Sequence, residues 1–228
     1  MKLLINSRTW FKNCIKYEKL LDNIREHRVR ENWGWGFHSK KELLARALNP
    51  SNNRAIGKSY SKEYIAGLIG EIEGAKWLTE QGYEVYQFGF IGHYFDLLNN
   101  TIERMKKRRK KEYIENDGDY IKTLEQTLKG FFGEHFEAMR QFYMEVLPIR
   151  SEIRKTVQFA YQVGGVAPDF IVKKNNDFSI VEVKANTSMP TKHQRMCFEI
   201  AKSYGFKVML LRVIVESNAA KEIRLLEY

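Results

Sequence analysis

Apolar positions recur at two different periods along the chain, and the changes of period separate helical from extended segments. Near the N-terminus, five apolar residues alternate at spacings of four and three, which is typical of one face of an amphipathic helix: Trp10, Cys14, Tyr17, Leu21 and Ile24. A Trp-Gly-Trp-Gly turn at residues 33–36 follows, and a short helix is expected over Lys40–Leu48. We therefore predict that residues 1–60 form an N-terminal helical extension.

Residues 61–88 predict a helix followed by a strand. Ser61 can cap the helix, Gly82 can end it, and Tyr83–Phe88 alternates in the manner of a strand. Glu71 falls in the middle of the apolar face of this helix, where a carboxylate needs a partner. It is either a site residue or a residue at the edge of the stripe that pairs with a surface lysine. Glycines recur along the same helix and would let it lie close to a sheet or to DNA: Gly67, Gly70 and Gly74.

Residues 95–155 predict a helical insertion. Seven of the eight residues from Arg104 to Lys111 are Lys or Arg, and this run is either a solvated surface or a contact for phosphate groups. Further on, eight positions mark one face of a single long helix: Ile121, Leu124, Leu128, Phe131, His135, Met139, Phe142 and Val146. Pro148 is expected to stop or bend that helix.

Two β-rich runs flank the polar stretch Lys173–Asp177, which predicts a β-hairpin. A turn centred between Asn175 and Asn176 would place Asp169 directly opposite Glu182 on the same face of the hairpin. Lys184 lies two residues beyond Glu182 and shares that face, whereas Val181 and Val183 point to the other face, into a core.

Paired carboxylates of this kind repel each other, and a cation between them relieves the repulsion. Mg²⁺ takes oxygen ligands and is often held by one or two carboxylates together with substrate phosphate. Lys184 supplies a positive charge where a water is deprotonated or a phosphorane is stabilised. Gly164 and Gly165 would allow a phosphate backbone to approach closely.

A helix, then a strand, is expected after the hairpin. Thr191 can cap this helix, and its buried face is formed by Cys197, Ile200, Ala201 and Tyr204. Gln194 precedes Cys197 by three positions, so it either shares that face and reaches the hairpin or faces solvent from the first turn. A strand is predicted over Lys207–Val215.

These residues carry a resemblance. Pro168-Asp169, twelve intervening residues and then Glu182-Val183-Lys184 resemble the signature of PD-(D/E)xK nucleases, and the segment from Lys192 to Val215 is similar to the tail of the virus-type replication–repair nuclease domains. The resemblance implies an α/β fold with a restriction-endonuclease-like core, a mixed central sheet flanked by helices. That core would cover residues 61–228, with the N-terminal helices ahead of it and the helical insertion at about 95–155.

The resemblance also implies roles for individual residues. Mg²⁺ or Mn²⁺ would be held by Asp169, Glu182, the Val183 carbonyl and Glu71, while Lys184 orients or activates the attacking water. Gln194 would help to place that water or the scissile phosphate. Nucleic-acid contacts are expected at the basic run, the glycine pair and the histidine beside the site: Arg104, Lys106, Lys107, Arg108, Arg109, Lys110, Lys111, Gly164, Gly165 and His193.

Composition agrees with a polyanionic partner. The 228 residues carry a formal net charge of +10, and neutralising DNA phosphates releases counterions. The two cysteines, Cys14 and Cys197, stand far apart, which argues against a zinc finger or a disulfide framework. No apolar run reaches transmembrane length or suggests a signal peptide, so we expect a soluble cytoplasmic protein that binds DNA and no membrane.

The expected activity is hydrolysis of DNA phosphodiester bonds by a metal-dependent endonuclease, selective for the branched, flapped or junction DNA of repair and recombination. Two alternatives stay open: a restriction-type, sequence-specific endonuclease, and a catalytically inactive DNA-binding module on a nuclease fold. Because cutting two strands takes two sites, a homodimer is compatible with either enzyme.

Overall fold

The structure, a computed structural model, describes residues 35–49, 61–107, 111–156 and 167–228. The helices are α1 (Trp35–Leu48), α2 (Lys62–Glu80), α3 (Phe88–Lys107), α4 (Lys111–Phe132), a 3₁₀ turn (Gly133–His135), α5 (Phe136–Thr156) and α6 (Lys192–Ser203). The strands are β1 (Glu84–Gln87), β2 (Phe170–Lys174), β3 (Asp177–Ala185), β4 (Lys207–Glu216) and β5 (Ala219–Glu227).

The two ends of α2 follow the sequence signals. The Ser61 side chain accepts a hydrogen bond from the Tyr64 amide at 3.1 Å, which satisfies one of the free N–H groups of the first turn. After the helix, Gly82 adopts a φ of +84°, a conformation that glycine reaches without strain. Both boundaries predicted for this helix are therefore confirmed.

Helix α1 begins at Trp35, five residues earlier than predicted. The turn expected at residues 33–36 is wrong in its second half, because Trp35 and Gly36 form the first turn of the helix. One glycine disfavours a helix by only about 1 kcal/mol, which is too little to impose a turn. The helix predicted over Trp10–Ile24 lies outside the described residues.

The long helix predicted from Ile121 to Val146 is in fact two helices. Gly133, with a φ of +56°, starts a short 3₁₀ turn that separates α4 from α5. Pro148 does not stop the second helix, which continues to Thr156. The predicted apolar face nevertheless holds on both sides of the break, and six of its residues are buried: Leu124, Leu128, Phe131, Met139, Phe142 and Val146.

The five strands form one mixed sheet in the order β1-β2-β3-β4-β5. Every neighbouring pair is antiparallel except β3 and β4, which run parallel and are joined through α6. The hairpin register predicted from the Asn175–Asn176 turn is confirmed, since Phe170 faces Val181 and both asparagines have positive φ. Strand β5 was not predicted; it follows a tight turn at Ser217 and Asn218, also with positive φ.

Helix α2 packs against one face of the sheet. Its buried residues form one core with the apolar residues on that face of β2, β3 and β4. Val181 and Val183 belong to this core, as predicted. Close packing depends on the glycines of the helix: a Cβ atom at Gly70 would lie 3.5 Å from Ala185 Cβ, and one at Gly74 only 2.7 Å from Leu211 Cδ2. The backbone of α2 at these glycines therefore lies directly against side chains of β3 and β4.

The chain divides into two compact units. In the first unit, the structure describes residues 91–107 and 111–140. Its core contains aromatic contacts such as the pair Phe95–Phe132, whose ring centroids are 5.7 Å apart. The other unit contains α1, α2, the sheet, α6 and the residues from Gln141 onward in α5. None of the helices in the described ranges is long and apolar enough to cross a membrane.

Candidate active site

One cavity collects the acidic residues predicted from the sequence. It has a volume of about 430 Å³ and lies where α2 meets the ends of β2 and β3. Its lining includes four carboxylates and one lysine: Glu63, Glu71, Asp169, Glu182 and Lys184. In a chain with a net charge of +10, this excess of negative charge in one cavity favours the binding of a cation.

Asp169 occupies the bend that immediately precedes β2, and two main-chain amides hold it. Its side-chain Oδ2 accepts a hydrogen bond from the Val183 amide at 2.8 Å, across the hairpin. Its carbonyl oxygen accepts one from the Phe88 amide at 3.0 Å, at the end of β1. The carboxylate is therefore placed beside β3, as the hairpin register predicted.

Glu182 lies in the middle of β3 and is only 1% exposed. Its Oε1 atom is 2.7 Å from Lys184 Nζ and accepts a hydrogen bond from Gln194 Nε2 at 2.5 Å. Lys184 shares its face of the strand, as predicted, with 14% of its side chain exposed. A buried carboxylate requires such compensation, and here one cation and one amide donor converge on the same oxygen.

Gln194 faces inward from α6 rather than toward solvent. It forms a capping box with Thr191. The backbone N–H of Gln194 donates to Thr191 Oγ1 at 3.2 Å, and the backbone N–H of Thr191 donates to Gln194 Oε1 at 2.9 Å. The side-chain amide therefore joins the start of α6 to Glu182, and its orientation is set by both contacts.

Helix α2 contributes Glu71 and also Glu63, which was not predicted. Glu63, Gly67 and Glu71 recur every four residues and line the cavity along one side of the helix, a spacing that is visible in the sequence. Hydrogen bonds from the backbone and from Ser61 lower the pKa of Glu63. Gly67 leaves open space, since a Cβ atom there would meet nothing within 4 Å.

The loop after β3 forms another wall of the cavity, with Asn186, Thr187 and Ser188 in its lining. Asn186 has a φ of +53°, and its Oδ1 accepts a hydrogen bond from the Val215 amide at 2.7 Å. Arg212 Nη1 donates to the carbonyl oxygens of Asn186 and Ser188 at 2.6 and 2.7 Å. An asparagine directly after a strand is the sequence signal for such a turn.

Cys197 is buried on the inner face of α6. Burial, together with the negative charge of Glu182, raises the pKa of its thiol to about 12. The thiol is therefore protonated at neutral pH. Cys14 lies outside the described residues.

The remaining predicted contacts lie elsewhere or outside the described ranges. Gly164, Gly165, Arg108, Arg109 and Lys110 belong to segments that the structure does not describe. Arg104, Lys106 and Lys107 are in the last turns of α3, and Lys111 begins α4. His193 is half-buried in the first turn of α6 and does not line the cavity.

No group of three or more His, Cys, Asp or Glu side chains in the described ranges is arranged to hold a metal ion. The chain matches no protein-family model, and comparison with the curated proteins and with the solved structures gives no match.

Proposed function

We propose that this protein is a metal-dependent nuclease that hydrolyses phosphodiester bonds in DNA. The observation that carries the proposal is the convergence of Asp169, Glu182, Lys184 and Glu71 on one cavity. Helix α2 supplies Glu71, and the β2–β3 hairpin with the bend before it supplies the other three about a hundred residues later. All four were singled out by the PD-(D/E)xK resemblance. Structure alone gives no reason to gather three acids and a lysine around an open cavity, since buried like charges destabilise a fold.

The order of the elements supports the same assignment. Helix α2, strand β1, the hairpin β2–β3, helix α6 and strand β4 follow one another in the order α-β-β-β-α-β. The resemblance to PD-(D/E)xK nucleases implies a core with this order. The helices α3 to α5 are inserted between β1 and β2, and β5 is added at the edge. We propose that the sheet and its flanking helices are a restriction-endonuclease-like core.

The donor atoms around the cavity suit Mg²⁺ or Mn²⁺. Both ions prefer oxygen ligands, and Mg²⁺ commonly binds through one or two carboxylates while keeping several waters. Asp169, Glu182, Glu71 and the Val183 carbonyl are the residues that would hold it. When bound, such an ion supplies charge stabilisation to a phosphoryl group and lowers the pKa of a coordinated water.

The chain's own residues have separate roles in this proposal. Lys184 holds a positive charge 2.7 Å from Glu182 Oε1, so it balances that carboxylate and can orient a water toward the phosphate. Gln194 fixes the Glu182 carboxylate, because its amide donates to Glu182 while its oxygen is held by Thr191. The role expected from the sequence, which was to place the water or the phosphate directly, stays a prediction.

We assign binding of the nucleic-acid backbone to the basic part of the chain. The net charge of +10 and the run from Arg104 to Lys111 suit the DNA backbone. By analogy with the resembled nucleases, we propose selectivity for branched, flapped or junction DNA. A protein of this kind would act in the cytoplasm, alone or as a homodimer.

Cleavage of a panel of labelled DNAs tests the proposal. Linear duplex, single strand, flap, fork and four-way junction are each incubated with Mg²⁺, with Mn²⁺ and with EDTA. The variants Asp169→Ala and Lys184→Ala are compared with Asp177→Ala and Lys221→Ala, which remove the same charged groups from exposed positions on β3 and β5.

We expect metal-dependent cutting that Asp169→Ala and Lys184→Ala abolish and the two control variants retain. A preference for branched DNA would support structure selectivity, whereas one fixed cut sequence would indicate the restriction-type alternative. Tight DNA binding without cutting under every metal condition would contradict the nuclease and leave the inactive binding module as the better assignment.

A further inference from the structure

The main chain of Asp169 is held by the junction between β1 and α3. The Phe88 amide, at that junction, donates to the Asp169 carbonyl at 3.0 Å. This bond continues the β1–β2 ladder by one position past the pair Gln87–Phe170. The place of the Asp169 carboxylate in the cavity therefore depends on where Phe88 lies.

Phe88 in turn is held by Tyr143, which lies 55 residues further along the chain, in α5. The Tyr143 hydroxyl donates to the Phe88 carbonyl oxygen at 2.7 Å. The two rings are stacked with their centroids 4.6 Å apart, and the Phe142 ring meets Phe88 edge-on at 5.6 Å. Tyr143 and Phe88 are each 1% exposed, so no water competes for this hydrogen bond.

We propose that Tyr143 is a positioning residue for Asp169. Its hydroxyl holds the Phe88 carbonyl oxygen, the backbone amide of the same residue holds the Asp169 carbonyl, and the Val183 amide holds the Asp169 carboxylate. Groups that hold a metal or a reacting atom work only within roughly 0.5 Å of the right place, so such indirect supports affect affinity strongly. The inference rests on the proposed function, because it takes Asp169 as a metal ligand.

The inserted helices acquire a role through this contact. Tyr143 belongs to α5, the last helix of the segment inserted between β1 and β2, and Phe88 is the first residue of that segment. Phe88 thus donates to Asp169 through its amide and accepts from α5, the last helix of the same inserted segment, through its carbonyl oxygen. We infer that Tyr143 and the part of α5 around it support the geometry of the acidic cluster, in addition to any contact of the inserted segment with DNA.

The variant Tyr143→Phe tests this role because it removes only the hydroxyl and keeps the stacked ring. Tyr86→Phe is the matched control: Tyr86 is also buried, lies two residues before Phe88, and directs its hydroxyl to Glu84 Oε2 at 2.7 Å rather than to the support of Asp169. Asp169→Asn serves as the reference for loss of the carboxylate itself.

Binding of Mn²⁺ without DNA is measured by electron paramagnetic resonance of the free ion, alongside thermal unfolding of each variant. We expect Tyr143→Phe to weaken Mn²⁺ binding roughly tenfold, the lower end of the loss typical for groups that orient a ligand. Tyr86→Phe should bind Mn²⁺ as the unchanged protein does. Asp169→Asn should lose more than either.

Each other outcome has a distinct meaning. Unchanged Mn²⁺ binding by Asp169→Asn would refute Asp169 as a ligand and with it the proposed metal site. If Asp169→Asn loses binding but Tyr143→Phe does not, only the role of Tyr143 is overturned. An equal loss in Tyr86→Phe would show that the loss comes from a general destabilisation of the fold. That result would overturn the role of Tyr143 as well.

A second measurement needs no variant. If the Phe88 amide supports a metal-holding Asp169, binding of the ion must stabilise that hydrogen bond in return, because coupling between sites is reciprocal. Hydrogen exchange of the Phe88 amide should therefore slow in the presence of saturating Mn²⁺. An exchange rate that does not respond to Mn²⁺, in protein shown to bind the ion, would overturn the inference even if Tyr143→Phe did not fold.

Discussion

A Cβ atom placed on Gly74 would lie 2.7 Å from the Cδ2 atom of Leu211, nearer than side-chain atoms approach in folded proteins. Leu211 is fully buried in β4, so its side chain moves only against its neighbours in the core. Gly67 lies seven residues, or about two turns, earlier in α2. It faces the cavity, and a Cβ there meets nothing within 4 Å. A side chain is therefore excluded at Gly74 and has room at Gly67, although both glycines belong to one helix.

Alanine at these two positions should change stability in opposite directions. Gly74→Ala forces Leu211 and its neighbours apart and should lower the free energy of unfolding by about 1–3 kcal/mol. Gly67→Ala relieves the entropic penalty of glycine in a helix and should raise it by about 0.5–1 kcal/mol. Urea denaturation of both variants measures the difference, and equal effects would contradict the close approach of α2 to the sheet.

A large residue at Gly67 should block the cavity without unfolding the protein. Gly67→Phe fills part of the space beside Glu71 and Asp169, so we expect DNA cleavage to fall at least tenfold while the unfolding transition stays close to that of Gly67→Ala. Gel-based cleavage rates with Mg²⁺ measure the effect. Full activity in folded Gly67→Phe would show that the substrate does not enter this cavity.

The contact between Gln194 and Glu182 can be removed while the capping box is retained. Glutamate is also a good capping-box partner, so Gln194→Glu keeps the start of α6 but sets a second carboxylate against the buried Glu182. We expect a loss of about 1–3 kcal/mol in the free energy of unfolding at pH 8, with part of it recovered at pH 5 as a proton is shared between the acids.

Denaturant titrations at the two pH values measure this difference, relative to the unchanged protein at each pH. Thr191→Ala is the control, because it weakens the cap and leaves the amide of Gln194 facing Glu182. A loss that is the same at pH 5 and pH 8 in Gln194→Glu would indicate a capping effect and not carboxylate repulsion.

The thiol of Cys197 reports on the interior beside Glu182. Its pKa of about 12 means that a thiol reagent should react with it at pH 8 only after denaturation, in a Cys14→Ser background that leaves one cysteine. An unfolded thiol ionises near pH 9, so the stabilisation associated with the protonated Cys197 is present below pH 9 and is lost as the pH rises toward 12.

Stopped-flow labelling measures the reaction, and the variant Cys197→Ser tests the pH effect. Its free energy of unfolding should fall less steeply above pH 9 than that of the unchanged protein. Fast labelling of folded protein at pH 8 would contradict the burial of this side chain.

The loop wall of the cavity should depend on Arg212. Lysine has one point charge in place of the planar guanidinium, so Arg212→Lys cannot hold the Asn186 and Ser188 carbonyls in the same geometry. We expect faster hydrogen exchange at residues 186–188 and a KM for DNA raised severalfold, with a smaller change in kcat. Arg224→Lys on exposed β5 is the control, and a KM that rises equally in both variants would exclude a specific effect of the loop.

The acidic site could be predicted from the sequence because its main part is local. The Asn175–Asn176 turn, with both residues at positive φ, sets the register of a single hairpin, and period two then places Asp169, Glu182 and Lys184 on one side. Gln194 could be linked to them only through the helical stripe that it shares with Cys197. Its capping contacts decide its orientation, and these were visible in the Thr191-Lys192-His193-Gln194 order.

The parts that were missed depend on longer-range packing or on weak local signals. The break at Gly133 looks like any glycine within an amphipathic stripe, and a stripe of period 3.6 continues across a 3₁₀ turn with little phase change. Strand β5 alternates weakly because it lies at an edge of the sheet and most of its side chains are exposed. Arg212 joins β4 to the loop after β3, a contact between segments more than twenty residues apart that no local pattern reveals.

The connectivity of the sheet has a consequence for the order of folding. Strands β2 to β5 are contiguous in the last quarter of the chain, whereas Val85 in β1 pairs with Val172, roughly ninety residues later. Contacts of high sequence separation form late because loop closure must come first. The β2–β5 segment can therefore assemble before β1 and α2 dock, and the mutually repelling carboxylates of Glu71 and Asp169 meet only in the final step, when enough apolar surface is buried to hold them together.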